Sequence, residues 1–364
     1  MSKTVTIYGA GVAGVKLANA LQHRANVRLV SPIDYFEVPM AMPRNLVEPT
    51  FAERSVVPLE SIKLNVEHIR GRLISFRDNV GVVETASGER LQLSSDVSAL
   101  ATGSRYANTL TRSHTGNANE RRNEFETHAQ RLRNAQQIVI VGGGPIGIEL
   151  AGEISQDYPS KQVIIVESGL DILNGTSRKV STHALQTLKD RGVEIHLNQR
   201  IIDPDYGIEP EGGVARTDSG LEIPFDLIFW AVGSKPNTGY FPSDQLSEGQ
   251  RIPVDQFLRV KNTENVFALG DITNLDEVKK AIYLNDQVKV ASRNIEAVLA
   301  GRHPSKTYKA QTDNDIMVVT LGRKGGVGHL PGLGAVKSNW LVRMFKAKDM
   351  LVSMYRKSIG AVEG

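Results

Sequence analysis

The 364-residue sequence contains no cysteine. Disulfides, thiolate nucleophiles, iron–sulfur clusters and thiolate zinc sites are excluded together. Histidine is scarce, with eight residues and no HxxxH or similar pairing. No metal site is therefore expected. No apolar run approaches the roughly 20 residues of a membrane span. The formal net charge is only +3, so nucleic acid is not an expected partner. The first apolar strand begins by Thr4, which leaves no room for a signal or transit peptide. Position 2 is Ser2 rather than glycine, so N-myristoylation is not expected. A cytoplasmic protein is expected, with room for peripheral attachment to a membrane or lipid droplet.

What is present is glycine in two similar settings. "TVTIYGAGVAGVKLANAL" (4–21) and "VIVGGGPIGIELAGEI" (139–154) each read as strand, glycine turn and helix. Gly9, Gly11 and Gly14 form one GxGxxG motif, and Gly142, Gly144 and Gly147 form the other. The first glycine permits a sharp turn, the second lets backbone approach a pyrophosphate, and the third lets the helix pack on the strand. The helix N-terminus then offers free N–H groups to phosphate. Two motifs in the right context predict two dinucleotides in one chain. The bland alternative at each is a tight turn without a ligand.

An acid at the end of the second strand of such a unit accepts from ribose hydroxyls and repels a 2′-phosphate. In the second unit that residue is Glu167, which favours NADH over NADPH. The first unit has Ser31 there, with Asp34 and Glu37 nearby as substitutes.

Further apolar strands end in glycine: "ALATGS" with Ala101, Thr102 and Gly103, "LIFWAVG" with Gly233, and "NVFALGDIT" with Gly270 and Asp271. The expected fold is α/β, with two Rossmann-like, glutathione-reductase-like domains, the second inserted in the first. Residues 1–108 and 237–307 form the first, 109–236 the second, and 308–364 a small C-terminal α+β segment. Residues 32–47 read as a loop, "EFETHAQRLRNA" as a helix, and Lys280 to Leu299 as another.

With these stretches in place, the sequence resembles the two-dinucleotide flavoprotein reductases. Within them it is similar to the apoptosis-inducing-factor-like, ferroptosis-suppressor type of FAD-dependent NAD(P)H:quinone oxidoreductase. The motifs are "VIVGGGPIGIELAGEI" with "DYPSKQV", "YFEVPMAMPRNLVEPTFAERS", "NVFALGDIT", "LGRKGGVGHLPG" and "KAKDMLVSMYRKSIG". The resemblance implies FAD at the first motif, NADH or NADPH at the second, and a quinone or similar electron acceptor. It implies that Ala101-Thr102-Gly103 closes the first domain and that Asp271 meets the flavin's ribityl or phosphate groups. The helix after the Gly270-Asp271 motif would present its first-turn N–H groups to the flavin. Without cysteine, electrons must pass from flavin directly to an acceptor rather than through a thiol pair.

The resemblance also places Glu149 at the gap between nicotinamide and flavin, and Lys357 beside the flavin. The alternatives are a helix-dipole partner for Glu149 and a solvated charge for Lys357. Glu153, one helical turn on, reads as structural. Arg44 is a candidate flavin or pyrophosphate contact or a surface arginine. Tyr35, Phe36, Met40 and Met42 line an acceptor pocket or the core.

From Ala335 to Gly364 stand six cations (Lys337, Arg343, Lys346, Lys348, Arg356, Lys357) and two acids (Asp349, Glu363). Helical spacing in "NWLVRMFKAK" puts Trp340, Leu341, Met344 and Phe345 on one face, with Arg343, Lys346 and Lys348 elsewhere. Such a basic amphipathic helix suits an anionic membrane surface, or else packs on its own domain. Two other functions share these motifs: a soluble reductase of a one-electron protein or monodehydroascorbate, and an NADH-sensing signalling flavoprotein.

Overall fold

The computed structural model describes residues 3–106, 110–111, 113, 116–202, 212–312, 316–330 and 332–361. The expected boundary at 108/109 and the last residues of the basic tail, 362–364, lie outside them.

Five strands form a parallel sheet in the order Val266–Ala268, Val97–Leu100, Thr4–Tyr8, Asn26–Ser31, Glu67–Arg77. Val80–Thr85 and Arg90–Ser94 extend it as an antiparallel meander. Gly88, at φ 82°, makes the turn between those two, which the Ser87–Gly88 pair signals. The central strands are apolar without alternation because helices or the meander cover both faces. A second sheet repeats the plan: Glu194–His196, Gln162–Val166, Gln137–Val141 and Leu227–Trp230, all parallel. In each sheet the glycine-motif strand has neighbours on both sides, so the strand order reverses there. The C-terminal end of such a strand opens a crevice. The fold is α/β with two Rossmann-like sheets.

Helices Val12–Leu21 and Pro145–Asp157 begin directly after their N-caps, Gly11 and Gly144. Ala118–Asn134 starts earlier than its apolar pattern suggests, because Asn117 caps it by accepting from the Glu120 N–H at 2.8 Å. The helix expected from Lys280 begins instead at Leu284. Residues 32–47 are not a loop. They hold the strand Tyr35–Glu37 and the helix Met42–Val47. Pro43 suggests a loop but does not break this helix: in a first turn its missing N–H has no intrahelical partner to lose. Part of the expected hairpin after "VEIHLN" falls on residues 203–211, outside the described residues. Gly213–Arg216 and Glu222–Phe225 pair antiparallel beyond them.

The C-terminal segment builds a three-stranded antiparallel sheet, Met317–Thr320, Gly326–Leu330 and Gly334–Val336. That sheet packs on helices Pro145–Asp157 and Arg178–Asp190 of the second unit, while the last helix, Val352–Ile359, packs on Val12–Leu21 of the first. The chain between them therefore crosses from one unit to the other. Among the described residues no helix is long and apolar enough to cross a membrane.

Candidate functional site

The two glycine motifs have the same geometry. Gly9 and Gly142 have φ of 114° and 108°, a region that L side chains rarely adopt. A Cβ on Gly14 would overlap the Gly9 carbonyl oxygen, and one on Gly147 the Gly142 carbonyl oxygen. Gly11 and Gly144 differ: a Cβ on either would meet nothing within 4 Å. The outer glycines are therefore required by the protein's own packing. The middle ones border open space at a helix N-terminus, where a pyrophosphate fits.

Around the first motif, the Ala101 carbonyl lies against Gly9. Thr102 Oγ1 donates to the Asn237 carbonyl at 2.7 Å, and Asn237 N–H donates to the Gly103 carbonyl at 2.9 Å. Ser104–Arg105 and Lys235–Pro236 pair antiparallel, so the two crossings between the sheets are tied together here. Ser104 Oγ donates to Asp271 Oδ2 at 2.7 Å. Gly270, at φ 78°, donates its N–H to Gln287 Oε1 at 2.8 Å. The structure thus brings the Ala101–Gly103 and Gly270–Asp271 segments together, and the first turn of helix Leu284–Leu299 touches them through Gln287. These residues fit an FAD: an open helix N-terminus for its pyrophosphate and a carboxylate, Asp271, held by Ser104 just past the Ala101–Gly103 turn.

The adenosine end has no free carboxylate among the expected groups. Ser31 is buried and its Oγ accepts from the Ile33 N–H at 3.2 Å. Glu37 does not substitute for it, because the buried Arg121 guanidinium holds both its oxygens at 2.9 and 3.0 Å. Asp34 accepts from the Ala118 N–H at 3.2 Å and faces Arg70 at 3.6 Å.

At the second motif Glu167 accepts from the Gly143 and Gly169 N–H groups, both at 2.6 Å, through different oxygens. This bracing aims the carboxylate at the glycine loop and leaves one lone pair on each oxygen for a ribose. Gly233, at φ 80°, lies three residues beyond the neighbouring strand Leu227–Trp230, and a Cβ there would meet nothing within 4 Å.

Glu149 is buried in the second motif helix. It accepts from Thr320 N–H at 2.9 Å, from Thr320 Oγ1 at 3.3 Å and from Lys346 Nζ at 2.5 Å. Lys346 also donates to the Val318 carbonyl at 3.0 Å. The structure does not bring Lys357 to this carboxylate. Lys357 is exposed on helix Val352–Ile359. The cation that meets Glu149 is Lys346, which would lie on the solvated side if Trp340, Leu341, Met344 and Phe345 formed the packing face. The reason is that the apolar face turns outward: in the short helix Asn339–Val342 it is Val342, one turn before Lys346, that is buried, while Trp340 is exposed. Lys346 follows Val342 inward within a π turn at Arg343–Ala347, and an i→i+5 turn rotates the chain beyond it. The tail is a short helix widening into a π turn, with Trp340, Met344 and Phe345 exposed, followed by the helix Val352–Ile359. A signal for Lys346 was available: an acid inside an apolar helix needs a partner, and the tail is rich in cations.

Arg44 is likewise neither a surface residue nor free for a cofactor. It is 2% exposed, and its Nε and Nη2 donate to the two Glu153 oxygens at 2.7 and 2.8 Å. Burial raises the Glu153 carboxyl above its ordinary range, while the Arg44 guanidinium opposes the shift. Tyr35, Phe36 and Met42 are buried in the apolar cores, and Met40 packs against one of them. They are packing residues, drawn inward with the strand and helix that replace the expected loop.

The sequence profile described as "Pyridine nucleotide-disulphide oxidoreductase" matches residues 3–298. Apoptosis-inducing factor homolog B of Dictyostelium discoideum is 28% identical over 97% of this chain and 96% of its own length. Ferroptosis suppressor protein 1 of Xenopus tropicalis is 28% identical over 99% of this chain and 96% of its own. Among solved structures, NDH2 from Plasmodium falciparum in complex with NADH superposes with a TM-score of 0.71. It is 13% identical, covering 100% of this chain and 99% of that one, a likeness of fold.

Proposed function

The chain belongs to the pyridine nucleotide-disulphide oxidoreductase family, and from that premise we propose that it passes electrons from NADH to a quinone-type acceptor at a membrane surface. It is a pyridine nucleotide-dependent flavin oxidoreductase. FAD, when bound at Gly9–Gly14 and Asp271, supplies the two-electron exchange between nicotinamide and acceptor. Gly142–Gly147 and Glu167 hold the nucleotide. Glu149, fixed by Thr320 and Lys346, orients the nicotinamide, and Lys346 brings a positive charge to where negative charge develops. The Glu149–Lys346 pair carries this reading. It is a buried, hydrogen-bonded ion pair on the helix of the second motif, closed by a tail that reaches both units. With no cysteine in the chain, a thiol relay is absent and the electrons leave to a diffusing acceptor.

Support for a lipid-borne acceptor comes from the tail surface. Trp340, Met344 and Phe345 are 66%, 61% and 55% exposed, with Leu333 and Met354 also exposed. Lys337, Arg343, Lys348 and Lys357 are exposed on the same segment. Apolar groups among cations suit an anionic bilayer. The protein is expected to co-sediment with anionic vesicles and to release as salt rises, since the attraction is screened over a Debye length of roughly 8–10 Å. Trp340→Ala with Phe345→Ala should weaken binding even at low salt. Wild-type protein that stays in the supernatant at low salt would remove the membrane part of the proposal. Steady-state NADH oxidation with ubiquinone analogues, ferricyanide and monodehydroascorbate side by side tests the acceptor, with the quinone expected to give the highest kcat/KM.

NADH is expected to be used in preference to NADPH, because Glu167 meets the 2′-phosphate with like charge. Glu167→Gln should narrow the preference about tenfold, or roughly 1.4 kcal/mol. Equal kcat/KM for both nucleotides in the wild type would show that Glu167 only braces its loop.

A further inference from the structure

Helix Pro145–Asp157 carries an acid on three successive turns: Glu149, Glu153 and Asp157. Each meets a cation from a distant segment: Lys346 from the tail, Arg44 from helix Met42–Val47, and Arg323 from the C-terminal sheet. The Arg323 rung is partly solvated and shared with Glu48. The Arg44 rung is sealed, with side-chain exposures of 3% and 0%. A sealed ion pair is a poor device for stability alone, because apolar residues of similar volume commonly do as well or better. Arg44 has a further contact. Its Nη2, already on Glu153, also donates to the Ala347 carbonyl at 3.2 Å. Ala347 comes directly after Lys346 and closes the π turn that contains it.

We propose that Arg44 and Glu153 are positioning residues, whose buried fork grips the Ala347 carbonyl and so sets the turn that delivers Lys346 to Glu149. The inference rests on the function proposed above. Glu153 fixes the plane of the guanidinium, and the guanidinium fixes the turn. Arginine is required because one planar fork reaches a carboxylate and a carbonyl together, which a lysine ammonium on a flexible stem does not hold in one geometry. The first unit thereby controls a side chain that acts in the second.

The test is a double-mutant cycle on the FAD-loaded protein, read as the rate at which NADH bleaches the flavin and as KM for NADH. Arg44→Met with Glu153→Met removes both charges at similar volume and is expected to retain FAD and a near-native melting temperature. The bleaching rate should nevertheless fall about tenfold or more, as small misplacements of a catalytic group do. Adding the same pair to Lys346→Met should produce no further fall, because residues acting through one another are not additive. If the pair does not retain FAD, Arg44→Lys, which keeps a cation on Glu153, is expected to show the same loss and the same non-additivity. A wild-type rate in both variants overturns the proposal, and so does a loss that multiplies with that of Lys346→Met. Wild-type flavin that NADH does not bleach would instead overturn the proposed function on which this rests.

Discussion

Lys346→Met is expected to slow the bleaching of the flavin by NADH about a hundredfold, in the range seen when one preorganised electrostatic contact is removed from an active site. Glu149 has a 6% exposed side chain, and Lys346 is its only charged partner in the structure's described residues. Without Lys346 it keeps the Thr320 N–H and hydroxyl but no counter-charge. A buried carboxylate stripped of its cation costs about 3–5 kcal/mol if it stays ionised, so it should take up a proton or turn toward solvent. Either response spoils its hold on the nicotinamide. Glu149→Gln leaves the Lys346 ammonium without its counter-charge, although an amide oxygen can still accept from Thr320, and it should lose most of the rate. Stopped-flow absorbance at the flavin band measures both. The loss at Lys346→Met should exceed that at Lys357→Ala at least tenfold, given the contrast in burial. The reverse order would return the catalytic role to the exposed lysine. A wild-type rate in Lys346→Met would reduce the Glu149 pair to packing.

The second large effect separates the two nucleotide sites. Gly11→Val should give a folded, colourless protein, and Gly144→Val a folded, yellow protein that NADH cannot bleach. The reason is that a Cβ at either position meets nothing within 4 Å. Gly11 has φ −76° and Gly144 φ −74°, ordinary backbone for valine. The new Cβ meets no protein atom within 4 Å beyond its chain neighbours, and the side chain grows into the space beside the helix N-terminus. A displaced pyrophosphate forfeits charge-assisted hydrogen bonds of about 1.5–3 kcal/mol each. Losing two weakens binding by on the order of 10³-fold. Gly14→Ala and Gly147→Ala provide the contrast, since their methyl groups collide with the Gly9 and Gly142 carbonyls. Those variants should lose stability as well as ligand. Melting temperature together with retained flavin absorbance on gel filtration distinguishes the two classes. Gly11→Val protein that stays yellow at a wild-type flavin ratio would move FAD away from the first motif.

Local chemistry made part of this protein readable from its residues alone. A glycine between an apolar strand and a helix has few other uses, so both motifs, their order and the α/β fold can be read from short stretches of sequence. Glu167 was legible for the same reason: it ends a strand whose partner is named by the motif itself. Bracing of its carboxylate by Gly143 and Gly169 is a local contact too. The partners of Glu149, Glu37 and Arg44 were not legible, because each lies far along the chain. Glu149 meets Lys346, Glu37 meets Arg121, and Arg44 meets Glu153. Periodicity groups residues on a face but does not say which face turns inward. In the tail helix the apolar face with Trp340, Met344 and Phe345 is exposed, and the opposite side, with Val342 and Lys346, is buried. Which cation completes the site was therefore decided by tertiary packing: an ion pair buried between two folded units depends on the three-dimensional path of a tail that touches both.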